Sequence, residues 1–170
     1  PNDVVVAQVV KKLTDNFEKK WQGINNQTNL TENQIIILAS LVEREAKTDQ
    51  DRKIVAGILA KRLENDWPLQ VDATVQYVKG GRQCNLSSSQ CNWWPKVTGS
   101  DLKTIDSPYN TYMYKGLPPT PICNPSLSSL TAVADFETTD YWYYLSDSTG
   151  QMYYAETLDE HNQNISRYLK

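Results

Sequence analysis

The 170-residue chain has one histidine, His161, and three cysteines. A single histidine excludes HExxH zinc sites and most His-rich metal centres, and any Ser-His-Asp or Cys-His scheme would have to pass through it. The cysteines, Cys84, Cys91 and Cys123, include no CxxC pair, which argues against a zinc ribbon or a thioredoxin-type site. Neither GxGxxG nor a Walker A sequence is present, so nothing supports nucleotide binding. No dense Lys/Arg cluster appears and the net charge is −3, which does not suit a nucleic-acid-binding face. The longest apolar run, Ile35 to Val42 with Ser40 inside it, is far too short to span a bilayer. Nothing near Pro1 resembles a signal peptide, and the chain reads as a fragment of a longer protein.

What is present is a globular composition, 39% hydrophobic and 22% charged, expected to form one domain over residues 1–170. Phenylalanine is scarce (2) beside tyrosine (10) and tryptophan (5). Tyr and Trp join an apolar face to a polar handle, which suits sugar-binding clefts and also ordinary half-buried surfaces.

Helical spacing of Val6, Val9, Val10, Leu13, Phe17 and Trp21 predicts an amphipathic helix over residues 3–22, followed by a linker to residue 30. Thr31 and Gln34 form a capping box that opens a second helix. Its body, Ile35 to Ala46, is apolar nearly all round, the mark of a central buried helix, and ends on Glu43 and Glu45. A third helix follows from Thr48–Asp51 to Asn65, with Gly57 at its middle suggesting a close helix contact. Asp72 is placed to cap a short helix through Tyr77, stopped by Gly80-Gly81. Residues 82–122 read as a long irregular but ordered loop, carrying Cys84, Cys91, Trp93-Trp94-Pro95 and a proline-rich turn. Asn124-Pro125 is read as N-cap and first helical residue of a helix to Ala134. Tyr141–Leu145 and Gln151–Ala155 flank Asp147-Ser148-Thr149-Gly150 as a hairpin. A capping box at Thr157 and Glu160 opens a last helix with Leu158, Ile165 and Leu169 inward. The class is α+β with helices dominant.

Glu45 is the first candidate for chemistry. It continues the stripe of Leu38, Leu41 and Val42, and a carboxyl held against apolar surface is harder to ionise and can act as a general acid. Asp49, one turn on, would push the same way. Alternatively the helix simply ends there and Glu45 meets water, paired with Arg52. Glu43 points about 200° away around the helix, so it is a supporting partner of Glu45 or a surface charge, not its catalytic mate. Cys84 and Cys91 either close a small disulfide loop or stay as thiols.

The segments Leu38-Ala39-Ser40-Leu41-Val42-Glu43-Arg44-Glu45-Ala46, Arg52-Lys53-Ile54-Val55-Ala56, Arg62-Leu63, Leu69-Gln70-Val71-Asp72-Ala73-Thr74-Val75-Gln76-Tyr77, Ser107-Pro108-Tyr109-Asn110-Thr111-Tyr112, Gly116-Leu117-Pro118-Pro119-Thr120-Pro121-Ile122, Asn124-Pro125 and His161-Asn162 occur in this order. Together they resemble the MltG (YceG-like) endolytic murein transglycosylases over residues 31–170. The resemblance implies a lysozyme-like catalytic core and a lyase that cuts the MurNAc-β-1,4-GlcNAc bond of peptidoglycan, leaving a 1,6-anhydro end, with no cofactor and no metal. It maps the catalytic acid to Glu45, which would protonate the glycosidic oxygen and then take the proton of the muramoyl C6 hydroxyl. It also implies a single-pass membrane anchor and a LysM-like module upstream of Pro1, action on the extracytoplasmic face, and cell-wall synthases as partners; this fragment is expected to be monomeric.

Around Glu45, the candidates for substrate binding are Gln70, Asp72, Tyr109, Asn110, Thr111 and Tyr112. Asp72 has the helix cap as its alternative role, and Tyr109–Tyr112 the alternative of an Asn-held turn with packed tyrosines. His161, on one face with Leu158 and Ile165, reads as a buried hydrogen-bonded structural histidine, and Asn162 as a tie for the loop. The sequence departs from the family pattern at Ala73, where proline is common, and at Thr120 and Ser126, where glycine is frequent. Residues 82–96 read as an insertion. Two competing readings are a hydrolase of the same polymer using a second acid such as Asp72, and a non-catalytic glycan-binding domain.

Overall fold

The computed structural model describes residues 2–84 and 91–169, with side chains from Val5 onward. Among the described residues, seven helices and one hairpin run in the order α1 Asn2–Trp21, α2 Glu32–Glu45, α3 Asp49–Glu64, α4 Asp72–Gln83, α5 Gly99–Thr104, α6 Leu127–Ala134, β1 Tyr143–Ser146, β2 Met152–Ala155 and α7 Leu158–Tyr168. The fold is therefore α+β with a two-stranded antiparallel sheet.

The core is built around α2. Thr31 caps it as a full capping box with Gln34, and Ile35, Leu38, Leu41 and Val42 are completely buried. Its neighbours are α3, α4 and α6, with Val55, Leu59, Leu69, Val71 and Val133 filling the space between. Each such side chain contributes about 1.5–3 kcal/mol by leaving water. Ser40, alone among these apolar neighbours, donates to Ile37 O at 2.7 Å and accepts from Ile122 N at 3.0 Å, so the proline-rich turn is tied to the middle of the helix.

Gly57 marks a close approach, but to a loop and not to a helix. A Cβ there would fall on the carbonyl oxygen of Glu137. Helix propensity alone would make Gly57→Ala stabilising by about 1 kcal/mol, whereas displacing packed backbone costs about 1–3 kcal/mol. Sterics outweighs propensity here, so Gly57→Ala is expected to lower the urea midpoint of unfolding.

Several expectations are corrected. Helix α4 does not stop at Gly80-Gly81 but runs to Gln83, because Gly80 lets the backbone of Trp93 pack directly on it. Asp72 is not its cap: Val71 holds that position and no side chain caps the end. The irregular stretch contains α5, opened by a capping box of Thr98 and Asp101. Helix α6 begins after Ser126, which caps it, not at Asn124-Pro125. Leu158, Ile165 and Leu169 are exposed, not inward, and so are Val6, Val9, Val10 and Leu13 of α1; only Phe17 and Trp21 of that stripe reach the core. The serine run and the middle of the 82–96 stretch lie outside the described residues. The stretch's two cysteines, Cys84 and Cys91, are joined with their Cα atoms 5.6 Å apart, and Cys123 is a free thiol.

The hairpin pairs Tyr143 with Ala155, Tyr144 with Tyr154, Leu145 with Tyr153 and Ser146 with Met152. Its turn forms because the Asp147 carboxylate accepts from the Thr149 and Gln151 amides and Gly150 adopts φ +90°. It is docked by the C-terminal half of α3. Lys61 donates to the carbonyls of Thr139 and Asp140, and Arg62 to that of Trp142. Helix α7 covers both strands.

Candidate active site

Glu45, the last residue of α2, lies in a cleft of about 470 Å³ between α4 and the hairpin. Arg62, Gln70, Asp72 and Tyr112 form one wall, and Tyr143, Tyr144, Leu145 and Ser146 the other, with Met152, Leu158 and His161 closing it. That volume falls in the range of ligand-binding clefts.

The Glu45 carboxyl accepts a hydrogen bond from Tyr144 Oη at 3.1 Å. Burial pushes its pKa up to about 7; the Tyr144 bond and the Arg44 and Arg62 guanidiniums pull down, and the charge of Asp72 pushes further up. The like charge is thus Asp72, not Asp49. Asp49 faces away, paired with Arg52 and Ser128, so the alternative of a solvent-facing Glu45 paired with Arg52 is also excluded. A carboxyl of this kind is both protonated and ionised in appreciable fractions near neutral pH, the condition for donating and reclaiming a proton.

Asp72 accepts from Tyr112 Oη at 2.6 Å. Burial, then this bond, drives the Tyr112 phenol above its ordinary pKa, so it remains a donor. Gln70 reaches the cleft from a left-handed backbone position, φ +54°. A non-glycine residue there costs about 1–2 kcal/mol, and its N–H is held by Thr111 O at 3.1 Å.

The remaining candidates separate. Asn110 and Thr111 are buried and do not reach the cleft. Asn110 donates to Leu102 O and Ile105 O, and the Thr111 hydroxyl accepts from Val71 N and pairs with Thr74. Both build the wall that positions Gln70 and Tyr112. Tyr109 faces a different groove, against Tyr77 and bonded to Thr120. Glu43 accepts from Ser126 N, Ser126 Oγ and Ser129 Oγ. Against the burial that opposes it, these bonds hold its carboxyl below the usual range and tie α2 to α6. His161 is half-buried and stacked on Tyr143 at 5.2 Å, with Nδ1 buried and without a partner among the described residues, so it is a cleft residue and not the hydrogen-bonded structural histidine expected. Asn162 is exposed and outside the cleft; the asparagine that ties α7 to the sheet is Asn164, which donates to Tyr154 O.

Sequence reasoning missed Tyr143, Tyr144 and the site role of Arg62. Arg62 stood in the sequence beside Lys61 after the apolar stretch Ile58-Leu59-Ala60, and only its burial tells the two cations apart. Tyr144 had only the hairpin's tyrosine content as a signal.

Fold and cleft together define a helix-dominated α+β domain whose cleft holds one half-buried carboxyl of raised pKa, that of Glu45. Comparison with known proteins places the chain in a family. The YceG-like family matches residues 1–167, and the chain belongs to that family. It is 34% identical over 167 residues to the endolytic murein transglycosylase of Bacillus subtilis, covering 98% of this chain and 42% of that protein. It is 31% and 35% identical to endolytic murein transglycosylases from two Streptococcus pneumoniae strains, covering 97% of this chain and 29% of each relative. The crystal structure of a yceG-like protein from Listeria monocytogenes superposes with a TM-score of 0.73 at 37% identity, over 89% of this chain and 46% of that one. The chain therefore spans less than half the length of these relatives.

Proposed function

We propose that this domain is the catalytic part of an endolytic peptidoglycan lytic transglycosylase, with Glu45 as its single acid–base group. The observation that carries the reading is the Glu45 carboxyl at the base of the cleft, raised to a pKa of about 7 and hydrogen-bonded by Tyr144. Protonated Glu45 gives its proton to the oxygen of the MurNAc-β-1,4-GlcNAc bond as that bond breaks. The muramoyl C6 oxygen then attacks C1, its proton passes to the Glu45 carboxylate, and a 1,6-anhydro ring closes without water. Gln70, Asp72 and Tyr112 line the path of the glycan from one side, Tyr143 and His161 from the other. In this reading the full-length protein works outside the cytoplasmic membrane, held by a single-pass anchor and acting beside wall synthases. Among the described residues no helix is long and apolar enough to cross a membrane.

Purified peptidoglycan digested with the domain and resolved by mass spectrometry tests this. Fragments ending in anhydro-muramic acid, lighter by one water than reducing ends, are expected. Reducing muramic ends would favour hydrolysis with Asp72 as second acid, and binding without turnover would favour a glycan-binding module; either result overturns the reading.

The pH dependence follows from the same carboxyl. Its acid form is the one that must be present in the free enzyme, so kcat/KM is expected to hold below about pH 7 and to fall about tenfold per pH unit above it. A flat profile from pH 6 to 9 would be inconsistent with Glu45 as the acid.

A further inference from the structure

We propose that Tyr144 is a positioning residue that gives the two oxygens of Glu45 different tasks: its hydroxyl holds Oε2, leaving Oε1 to carry the proton that meets substrate. The inference rests on Glu45 being the acid–base group of the proposed reaction and adds how that group is aimed.

The geometry begins with the hairpin. Tyr144 and Tyr154 are paired across the two strands. Tyr144 Oη donates to Glu45 Oε2 at 3.1 Å, and Tyr154 Oη donates to Asp51 at 2.6 Å. Glu45 ends α2 and Asp51 lies in the first turn of α3, so two neighbouring tyrosines clasp the two sides of the α2–α3 turn. The carbonyl of Trp142, two residues before Tyr144, is fixed by Arg62. The sheet is thus anchored beside the contact with Glu45, at Trp142 before Tyr144 and at Tyr154 across from it.

A carboxylic acid has one strongly accepting carbonyl oxygen and one O–H, whose oxygen accepts weakly. The Tyr144 phenol stays protonated, held so by burial and by the nearby Glu45 charge, and its O–H favours the carbonyl oxygen. Proton occupancy of Glu45 is therefore directed to Oε1. That proton moves to the glycosidic oxygen as the C1–O bond breaks. The oxygen of the C6 hydroxyl bonds to C1, and the hydroxyl proton returns to Oε1. The Tyr144 bond persists throughout, and Glu45 ends as it began. A preorganised donor of this kind needs no reorientation during the reaction.

The other groups around the carboxyl are Arg44 beside it on α2, Arg62 from α3, Asp72 from α4, Tyr112 from the loop after α5, and His161 from α7. None of these donates a hydrogen bond to Glu45 among the described residues, which leaves Tyr144 as the side chain able to distinguish its two oxygens.

The test compares Tyr144→Phe with Tyr154→Phe by NMR titration of the carboxyl carbons in glutamate-labelled protein, alongside kinetics on peptidoglycan. In Tyr144→Phe the Glu45 midpoint is expected to rise by about one pH unit, since a bond to the ionised form is lost. The alkaline limb of activity should move with it, and kcat should fall roughly ten- to a hundredfold with KM changed less than about twofold. Tyr154→Phe, which removes the matching hydroxyl from the same sheet, should loosen the fold without moving that midpoint. An unmoved or lowered midpoint in Tyr144→Phe, or an equal rise in Tyr154→Phe, overturns the proposal. If the wild-type domain yields no anhydro ends yet the midpoint still rises only in Tyr144→Phe, the positioning role is supported and it is the transglycosylase reading that fails.

Discussion

Glu45→Gln is expected to lower kcat/KM on peptidoglycan by about 10²–10⁴-fold, the usual contribution of a positioned general acid, while raising the stability of the fold at alkaline pH. The first effect follows because glutamine keeps the shape and can still accept from Tyr144 but has no proton to transfer. The second follows from burial. The Glu45 pKa stands at about 7 in the folded chain against an ordinary 4.5, so between those values the folded state retains a proton that the unfolded chain has released. Its contribution to stability is complete below about pH 4.5 and is lost as pH rises through 7, where a buried carboxylate must be tolerated at about 3 kcal/mol. The glutamine variant escapes that cost. Its Tm should match the wild type near pH 4.5 and exceed it at pH 8. Loss of activity together with a Tm gain confined to high pH separates removal of the acid from damage to the fold. Equal Tm values at pH 8 would mean that Glu45 ionises freely.

The position of Glu45 was half legible from local pattern, which left a solvent-facing helix end open as the alternative. Leu38, Leu41 and Val42 precede it by seven, four and three residues, and that spacing carried Glu45 to the buried side of α2. Its partners were not legible, because they arrive from far along the chain. Tyr144 lies 99 residues away and reaches Glu45 only once the hairpin has docked. Asp72, not the nearer Asp49, supplies the neighbouring charge, since the α2–α3 turn carries Asp49 off toward Ser128. Asn110 and Thr111 looked like ligands because they are polar residues within a tyrosine-rich loop. A loop folded against the core must satisfy its own backbone groups, and these two side chains turn inward to do so, bonding Leu102 O, Ile105 O and Val71 N.

The fold divides along the same line. Capping boxes at Thr31 and Thr157 and the Asp147–Gly150 turn are local chemistry, and the structure has them where the sequence places them. The Thr98–Asp101 box carried the same signal for α5, but that helix is six residues long and buries none of them, so no apolar stripe drew attention to it. Gly80-Gly81 looked like a helix end because glycine favours stops. Gly80 stays helical because Trp93 occupies the space a side chain would need, a contact invisible without the third dimension. The apolar stripe of α1 was legible as a helix but not as a packed one, since only Phe17 and Trp21 at its end find the core.

Arg62→Leu is expected to destabilise the domain by about 3–5 kcal/mol, the largest loss in stability foreseen from one substitution in this cleft. Arg62 is 5% exposed. Its Nη1 donates to Leu69 O at 2.7 Å, while Nε and Nη2 both donate to Trp142 O, at 3.0 and 2.6 Å. One guanidinium thus joins the segment entering α4 to the segment entering β1, the two walls between which Glu45 is presented. Leucine fills much of the volume but leaves the buried Leu69 carbonyl and the half-buried Trp142 carbonyl without these donors, at about 1–3 kcal/mol for a fully buried group, and surrenders the coupling between the walls. Arg62→Lys should recover little, because an ammonium cannot reproduce a planar fork that spans two carbonyls. Urea unfolding of both variants measures this, and loss of the Tyr144 contact should appear as a rise in the Glu45 titration midpoint, enlarged by removal of the Arg62 charge. A lysine variant as stable as the wild type would show that charge, and not the geometry of the fork, is what the site requires; a leucine variant with an unshifted unfolding midpoint would mean that the two walls hold together without Arg62.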